Sequence, residues 1–207
     1  MTEREQSKRR LSPEARRDMI VDAAVRYFAE VGFAGSTRDL AKRVGVTQPL
    51  LYKYFATKAE LAEAVFGRVY LDRLDPEWPR LLTDRRQPLE QRLTTFYRAY
   101  TGAIFTYEWM RIFMFAGLAG ERLNRRYLEH VREMLLKPIL AEIRTELGAR
   151  SGEGPDIEDV FNLHGGIVYL GIRRFIYQLP APDDVGPIID RVVRRFLAGW
   201  TAEARRR

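Results

Sequence analysis

The chain has 207 residues, 46% hydrophobic and 30% charged, an ordinary globular composition with room for a small domain on a larger one. A net charge of +7 and a pI near 9.8 point to an anionic partner, and the placement of that charge has to separate nucleic acid from a membrane surface. The absence of cysteine excludes disulfides, thiolate metal sites and a cysteine nucleophile, and no run of about 18 apolar residues offers a membrane-spanning helix.

Met1 to Arg17 is polar and basic, without the apolar region or cleavage-like small residues of a secretory signal, so the cytoplasm is the expected compartment. Lys8-Arg9-Arg10 and Arg16-Arg17 read equally as a solvated tail or as an arm on phosphate. Ser12-Pro13 opens the first helix, and Met19, Ile20, Ala23, Ala24, Tyr27, Phe28 and Val31 give it one apolar stripe. Gly32 in the αL conformation should stop it, with Phe33 supplying the hydrophobic contact of a Schellman end.

Three helix starts then follow in tandem. Ser36 with Asp39 and Thr57 with Glu60 have the capping-box pattern, and Thr47 is a bare N-cap. Two short helices, Arg38 to Val44 and Gln48 to Phe55, joined through a turn at Gly45, make a helix-turn-helix pattern. Leu40, Ala41, Val44, Val46, Leu51 and Phe55 are spaced to face one another, leaving Gln48, Pro49, Tyr52 and Lys53 outside. No acidic residue occurs from Leu40 to Ala59, while Lys42, Arg43, Lys53 and Lys58 are cationic, so a polyanion can approach unopposed.

The runs Thr37-Arg-Asp-Leu-Ala-Lys-Arg-Val-Gly-Val-Thr, Leu51-Tyr-Lys-Tyr-Phe and Lys58-Ala-Glu-Leu resemble the N-terminal DNA-binding domain of the TetR family of transcriptional regulators, over roughly Ile20 to Phe66. The resemblance implies that Gln48, Pro49, Leu50 and Lys53 face the bases and that Thr47, Tyr52, Tyr54 and Lys58 hold phosphates. Thr37 either joins them or only caps its helix. It also implies a homodimer on a roughly palindromic double-stranded operator and a repressor that a small effector releases; the aromatic and Met density from Phe96 to Phe115 predicts that effector to be apolar or aromatic, and no cofactor is expected.

Beyond Thr57 a helix should run through Leu61, Ala64, Val65, Val69 and Tyr70 to about Arg73, continuous and therefore able to carry movement to the reader. The expected division is a DNA-binding unit, residues 1–60, and a ligand-binding and dimerisation unit, residues 61–207. Leu74 to Gln87, with Pro76 and Pro79, reads as a loop holding at most a short helix. Leu93, Phe96, Tyr97, Tyr100, Ala103 and Ile104 share a helix face, Met110 to Ala119 continues as a short element that Gly120 ends, and Leu123 to Leu147 is a long helix kinked at Pro138. Asp156 caps a helix to Tyr177, and Val185 to Trp200 follows the i, i+3, i+4, i+7 rule. Without repeats or strand-like alternation, the expected fold is all-α with about nine helices.

Phe96, Tyr97, Tyr100, Phe105, Met110, Phe113, Met114 and His164 are the candidate pocket. Core packing is the bland reading of any one of them, and a pocket between helices uses the same residue types. Phe161, Val168, Gly171, Ile172, Phe175, Val192, Phe196 and Trp200 are the candidate dimer face, with Gly165, Gly166 and Gly171 where backbones cross. Catalysis has little support. His130 is expected to pair with Glu129 and Glu133, His164 to be a packed histidine, and Gly152-Glu-Gly-Pro and Gly165-Gly-Ile lack nucleotide-binding spacing, so neither an enzyme nor a metal site is expected. The alternative to a ligand-responsive regulator is a constitutive DNA-binding or DNA-compacting protein, which would have little use for the large aromatic-rich remainder.

Overall fold

The computed structural model describes residues 11–119, 122–149 and 153–206, so Lys8-Arg9-Arg10, Gly120, Gly152 and Arg207 lie outside the described residues. Those described form helices and no strand: α1 Pro13–Val31, α2 Thr37–Val44, α3 Gln48–Tyr54, α4 Lys58–Val69, α5 Trp78–Thr83, α6 Leu89–Ile104, α7 Tyr107–Leu118, α8 Arg122–Val131, α9 Lys137–Leu147, α10 Ile157–Phe175 and α11 Gly186–Ala204. With α8 and α9 taken as the one interrupted helix and α5 as the short helix within a loop, this is the all-α arrangement that the sequence predicts.

Local chemistry sets most boundaries. Ser12 Oγ accepts from Ala15 N at 3.1 Å, and Asp156 closes a reciprocal capping box with Asp159 at the start of α10. Gly45 takes φ 73° and ψ 32°, the αL end of α2, with Val46 N bonded back to Ala41 O. Gly32 differs from expectation: its φ of 75° needs glycine, but ψ of 178° is extended, so the chain leaves α1 straight toward Phe33, whose ring stacks on Phe28 at 5.1 Å. The long helix is interrupted before Pro138. Residues Arg132–Leu136 form a π turn, with Lys137 N reaching back to Arg132 O, which absorbs the donor that Pro138 lacks. Helix α10 runs unbroken through Gly165-Gly166.

One continuous apolar core extends from Ile20 to Val193. Helix α1 lies against both α4 and α7. Arg68 on α4 bonds to Asp18 at 2.7 Å and Asp22 at 2.6 Å, while Arg111 on α7 donates to the carbonyl oxygens of Ala29 and Glu30 at the end of α1. Tyr70, which follows α4, is buried among Trp109, Phe113 and Tyr127, so the same helix packs on α1 and ends inside this aromatic cluster. The Leu74 to Gln87 stretch is anchored by the buried Trp78 on α5. The buried carboxylate of Glu142 is satisfied by Arg85 at 2.9 Å and by the buried Arg92 at 2.8 Å, and these guanidinium groups, Arg85 first, hold it below the usual carboxylate range. No helix among the described residues is long and apolar enough to cross a membrane.

Candidate functional site

The helix-turn-helix closes on Leu40, Ala41, Leu51 and Phe55, all buried, with Val44 and Val46 packed at the edge. Thr47 caps α3 by accepting from Leu50 N at 3.3 Å. Pro49 sits in the first turn, where a missing N–H leaves no intrahelical bond unmade. Pro49, Tyr52 and Lys53 are exposed, Gln48 and Leu50 half-exposed. Tyr54 is half-buried against the core.

Thr37, the first residue of α2, is the junction of the two helices. Its Oγ1 lies 3.1 Å from Tyr52 Oη and accepts from Gln48 Nε2 at 3.2 Å. Gln48 keeps one N–H and its Oε1, the pair that a bidentate contact to adenine uses. Ser36 Oγ accepts from Asp39 N at 3.0 Å and donates to the Asp39 carboxylate, so this cap is local and not a full reciprocal box. At α4, Thr57 accepts from Glu60 N at 3.0 Å, and the Glu60 carboxylate reaches Ala56 N at 2.8 Å, one residue before the cap.

Cations divide into two kinds here. Arg43 is ion-paired to Glu30 and stacked on Tyr27, and Arg17 lies over Phe55 at 4.8 Å, so both are engaged within the fold. Glu30 holds the Arg43 guanidinium above its ordinary pKa. Arg38, Lys53 and Lys58 have no carboxylate partner among the described residues, and Arg38, in the first turn of α2, is a site candidate that sequence reasoning missed. Its signal was a cation beside Thr37 at a helix start, where backbone N–H groups and the helix dipole favour anions.

The candidate pocket residues do meet, but as a packed core: Phe96, Tyr97 and Met110 are 0% exposed and Tyr100 1%. Phe105, Phe113, Met114 and His164 are half-buried. His164 Nε2 lies 3.5 Å from Tyr100 Oη, which is 3.0 Å from Tyr127 Oη, and burial lowers the His164 pKa to about 4. His130 is not paired with Glu133, whose carboxylate goes to Arg132 and Lys137; it lines a groove with Trp78 and Met134.

Gly171 departs from the expected dimer face. It is buried, and a Cβ there would run into Met110 Cε and lie 2.8 Å from the Phe105 ring of the same chain, so the close approach that calls for glycine is internal. A Cβ at Gly165, Gly166 or Gly199 instead meets no atom within 4 Å among the described residues, and Tyr169 on α10 is 48% exposed. Phe161, Val168, Ile172, Phe175, Val192, Phe196 and Trp200 are half-buried on α10 and α11.

Residues 20–65 match the family described as bacterial regulatory proteins, tetR family. The chain is 34% identical over 93 residues to the HTH-type transcriptional repressor KstR2 of Mycolicibacterium smegmatis, covering 44% of each chain. It is 35% identical over 92 residues to the HTH-type transcriptional activator FasR of the same organism, covering 42% of each. These matches span less than half the length of either relative. Among solved structures, a TetR-like transcriptional regulator from Rhodococcus sp. RHA1 superposes with a TM-score of 0.69 over 92% of this chain and all of that one, at 22% identity, a likeness of fold.

Proposed function

We propose, from a chain whose residues 20–65 match the family of bacterial regulatory proteins, tetR family, and whose fold is like that of a TetR-like transcriptional regulator, that the protein is a sequence-specific transcriptional regulator. It binds a roughly palindromic double-stranded operator as a homodimer and releases it when a small molecule enters the helical core. The observation that supports the reading is the Thr37 junction, which ties Gln48 and Tyr52 of α3 to the start of α2 while leaving half of the Gln48 amide open to a base. Gln48, Pro49, Leu50 and Lys53 face the bases; Thr47, Tyr52, Tyr54, Lys58 and Arg38 take phosphates.

Residues 1–60 form the reading unit and 61–207 the sensing and dimerising unit, with α4 shared between them. The open glycines Gly165, Gly166 and Gly199 support a face where α10 and α11 of two copies pack closely. The second reading, a constitutive DNA-binding protein, draws on the closed packing of Phe96, Tyr97 and Met110. Selection of bound duplexes from a random pool tests the proposal: a regulator enriches two inverted half-sites separated by a whole helical turn, and a compacting protein enriches none.

A further inference from the structure

The core between α4, α6, α7, α8 and α10 contains polar atoms that its own packing leaves unpaired. Tyr70 Oη, Tyr97 Oη, Trp109 Nε1, Asn124 Oδ1 and His164 Nδ1 are inaccessible and have no hydrogen-bond partner among the described residues. Protein interiors pair nearly all such groups, and each exception asks for an explanation. These five gather around a single aromatic cluster. Tyr70 meets Trp109 edge-on at 5.4 Å at one end, and Asn124 donates to the Phe113 carbonyl beside them; Tyr97 and His164 lie 6.0 Å apart at the other end. The Tyr100–Tyr127 hydroxyl pair, 3.0 Å apart, joins the two ends.

We propose that the effector is an uncharged, amphipathic molecule with a hydrogen-bonding group at each end, one end meeting Tyr70, Trp109 and Asn124 and the other Tyr97 and His164. This rests on the reading that the helical core receives an effector. The indole N–H can only donate and the Asn124 oxygen can only accept, so the first end takes both an acceptor and a donor, as a hydroxyl or amide supplies. A charge is disfavoured: no Asp, Glu, Lys or Arg joins these contacts among the described residues, and a buried ion without a partner loses its hydration uncompensated. The cluster's own titratable groups follow the same rule, burial holding Tyr100 up at about 12 and His164 down at about 4. A pure hydrocarbon would leave the five atoms as they are. The way in is the groove of about 370 Å³ lined by Leu71, Leu74, Met134 and Leu135, whose floor, Trp78, stands edge-on to Phe96 at 5.7 Å and Tyr100 at 5.5 Å.

The test uses the full chain and three probes of one shape: biphenyl, biphenyl-4,4'-dimethanol and biphenyl-4,4'-dicarboxylate. Affinity is read by calorimetry and operator binding by titration. The diol should bind at least about tenfold more tightly than either other probe. Tyr97→Phe should weaken it about tenfold while leaving the melting temperature of the unliganded protein unchanged or higher, because it removes an unpaired hydroxyl without opening a cavity. Equal or tighter binding of biphenyl or the dicarboxylate, or no binding by any probe, overturns the proposed ligand chemistry. Diol binding that leaves operator affinity unchanged overturns the effector reading and leaves the chemistry of the site standing.

Discussion

The hydroxyl of Thr37, at the start of α2, lies 3.1 Å from the hydroxyl of Tyr52 on α3 and also accepts the Gln48 amide. One small side chain thus fixes two of the residues assigned to DNA. Thr37→Val should remove both bonds with little change in shape and lower operator affinity about tenfold, at about 0.5–1.5 kcal/mol per bond. Thr37→Ser should retain most of the affinity. Equal affinity for the Val and wild-type proteins would show that the junction does not matter for binding.

Phosphate contacts should separate from base contacts in their salt response. Lys58 opens α4, has no carboxylate partner among the described residues, and sits beside backbone N–H groups. Lys58→Ala should therefore weaken every duplex alike and reduce the slope of log affinity against log salt by about one. Titration at several salt concentrations measures this, and an unchanged slope would remove Lys58 from the phosphate set.

Much of the helix layout was legible because its signals are local. Caps at Ser12, Ser36, Thr47, Thr57 and Asp156 and the αL turn at Gly45 depend on neighbours within a few residues, and all of them form. What stayed out of reach was long-range. Nothing near Gly171 in sequence says that Met110 and Phe105 would press on it, and nothing near Trp78 says that a proline-punctuated loop would be pinned by contact with Phe96 and Tyr100. Pro138 correctly marked an irregularity, but the backbone met it with a π turn just upstream. The candidate pocket was legible as a cluster of residue types, whereas its unpaired polar atoms depend on how side chains interlock.

The two kinds of glycine on α10 give opposite expectations. Gly171→Leu overfills a closed contact with Met110 and Phe105 and should destabilise folding by about 1–3 kcal/mol, measured by urea denaturation. A Cβ at Gly166 meets no atom within 4 Å among the described residues, so the fold of Gly166→Leu should survive, with helix propensity favouring Leu by up to about 1 kcal/mol. Sedimentation should then find Gly166→Leu monomeric. A fully dimeric Gly166→Leu would take this part of α10 out of the interface.

His164 should leave a mark on acid stability. Burial lowers its pKa from the ordinary 6.5 to about 4, so between those values the unfolded chain binds a proton that the folded chain does not. Its contribution is fully present above pH 6.5 and is lost as pH falls toward 4, amounting to about 3 kcal/mol. The groups facing it, Tyr97 and Tyr100, stay protonated throughout. Denaturation across this range should show a slope that His164→Leu flattens; the same slope in both proteins would assign the dependence elsewhere.

The assignment of α3 as the reading helix is tested most directly by one comparison: wild-type and Gln48→Ala proteins titrated, at one salt concentration, against the duplex recovered by selection and against a scrambled duplex of equal length. Gln48→Ala should lose about 1–3 kcal/mol on the selected duplex and little on the scrambled one. Equal losses on both duplexes would contradict it.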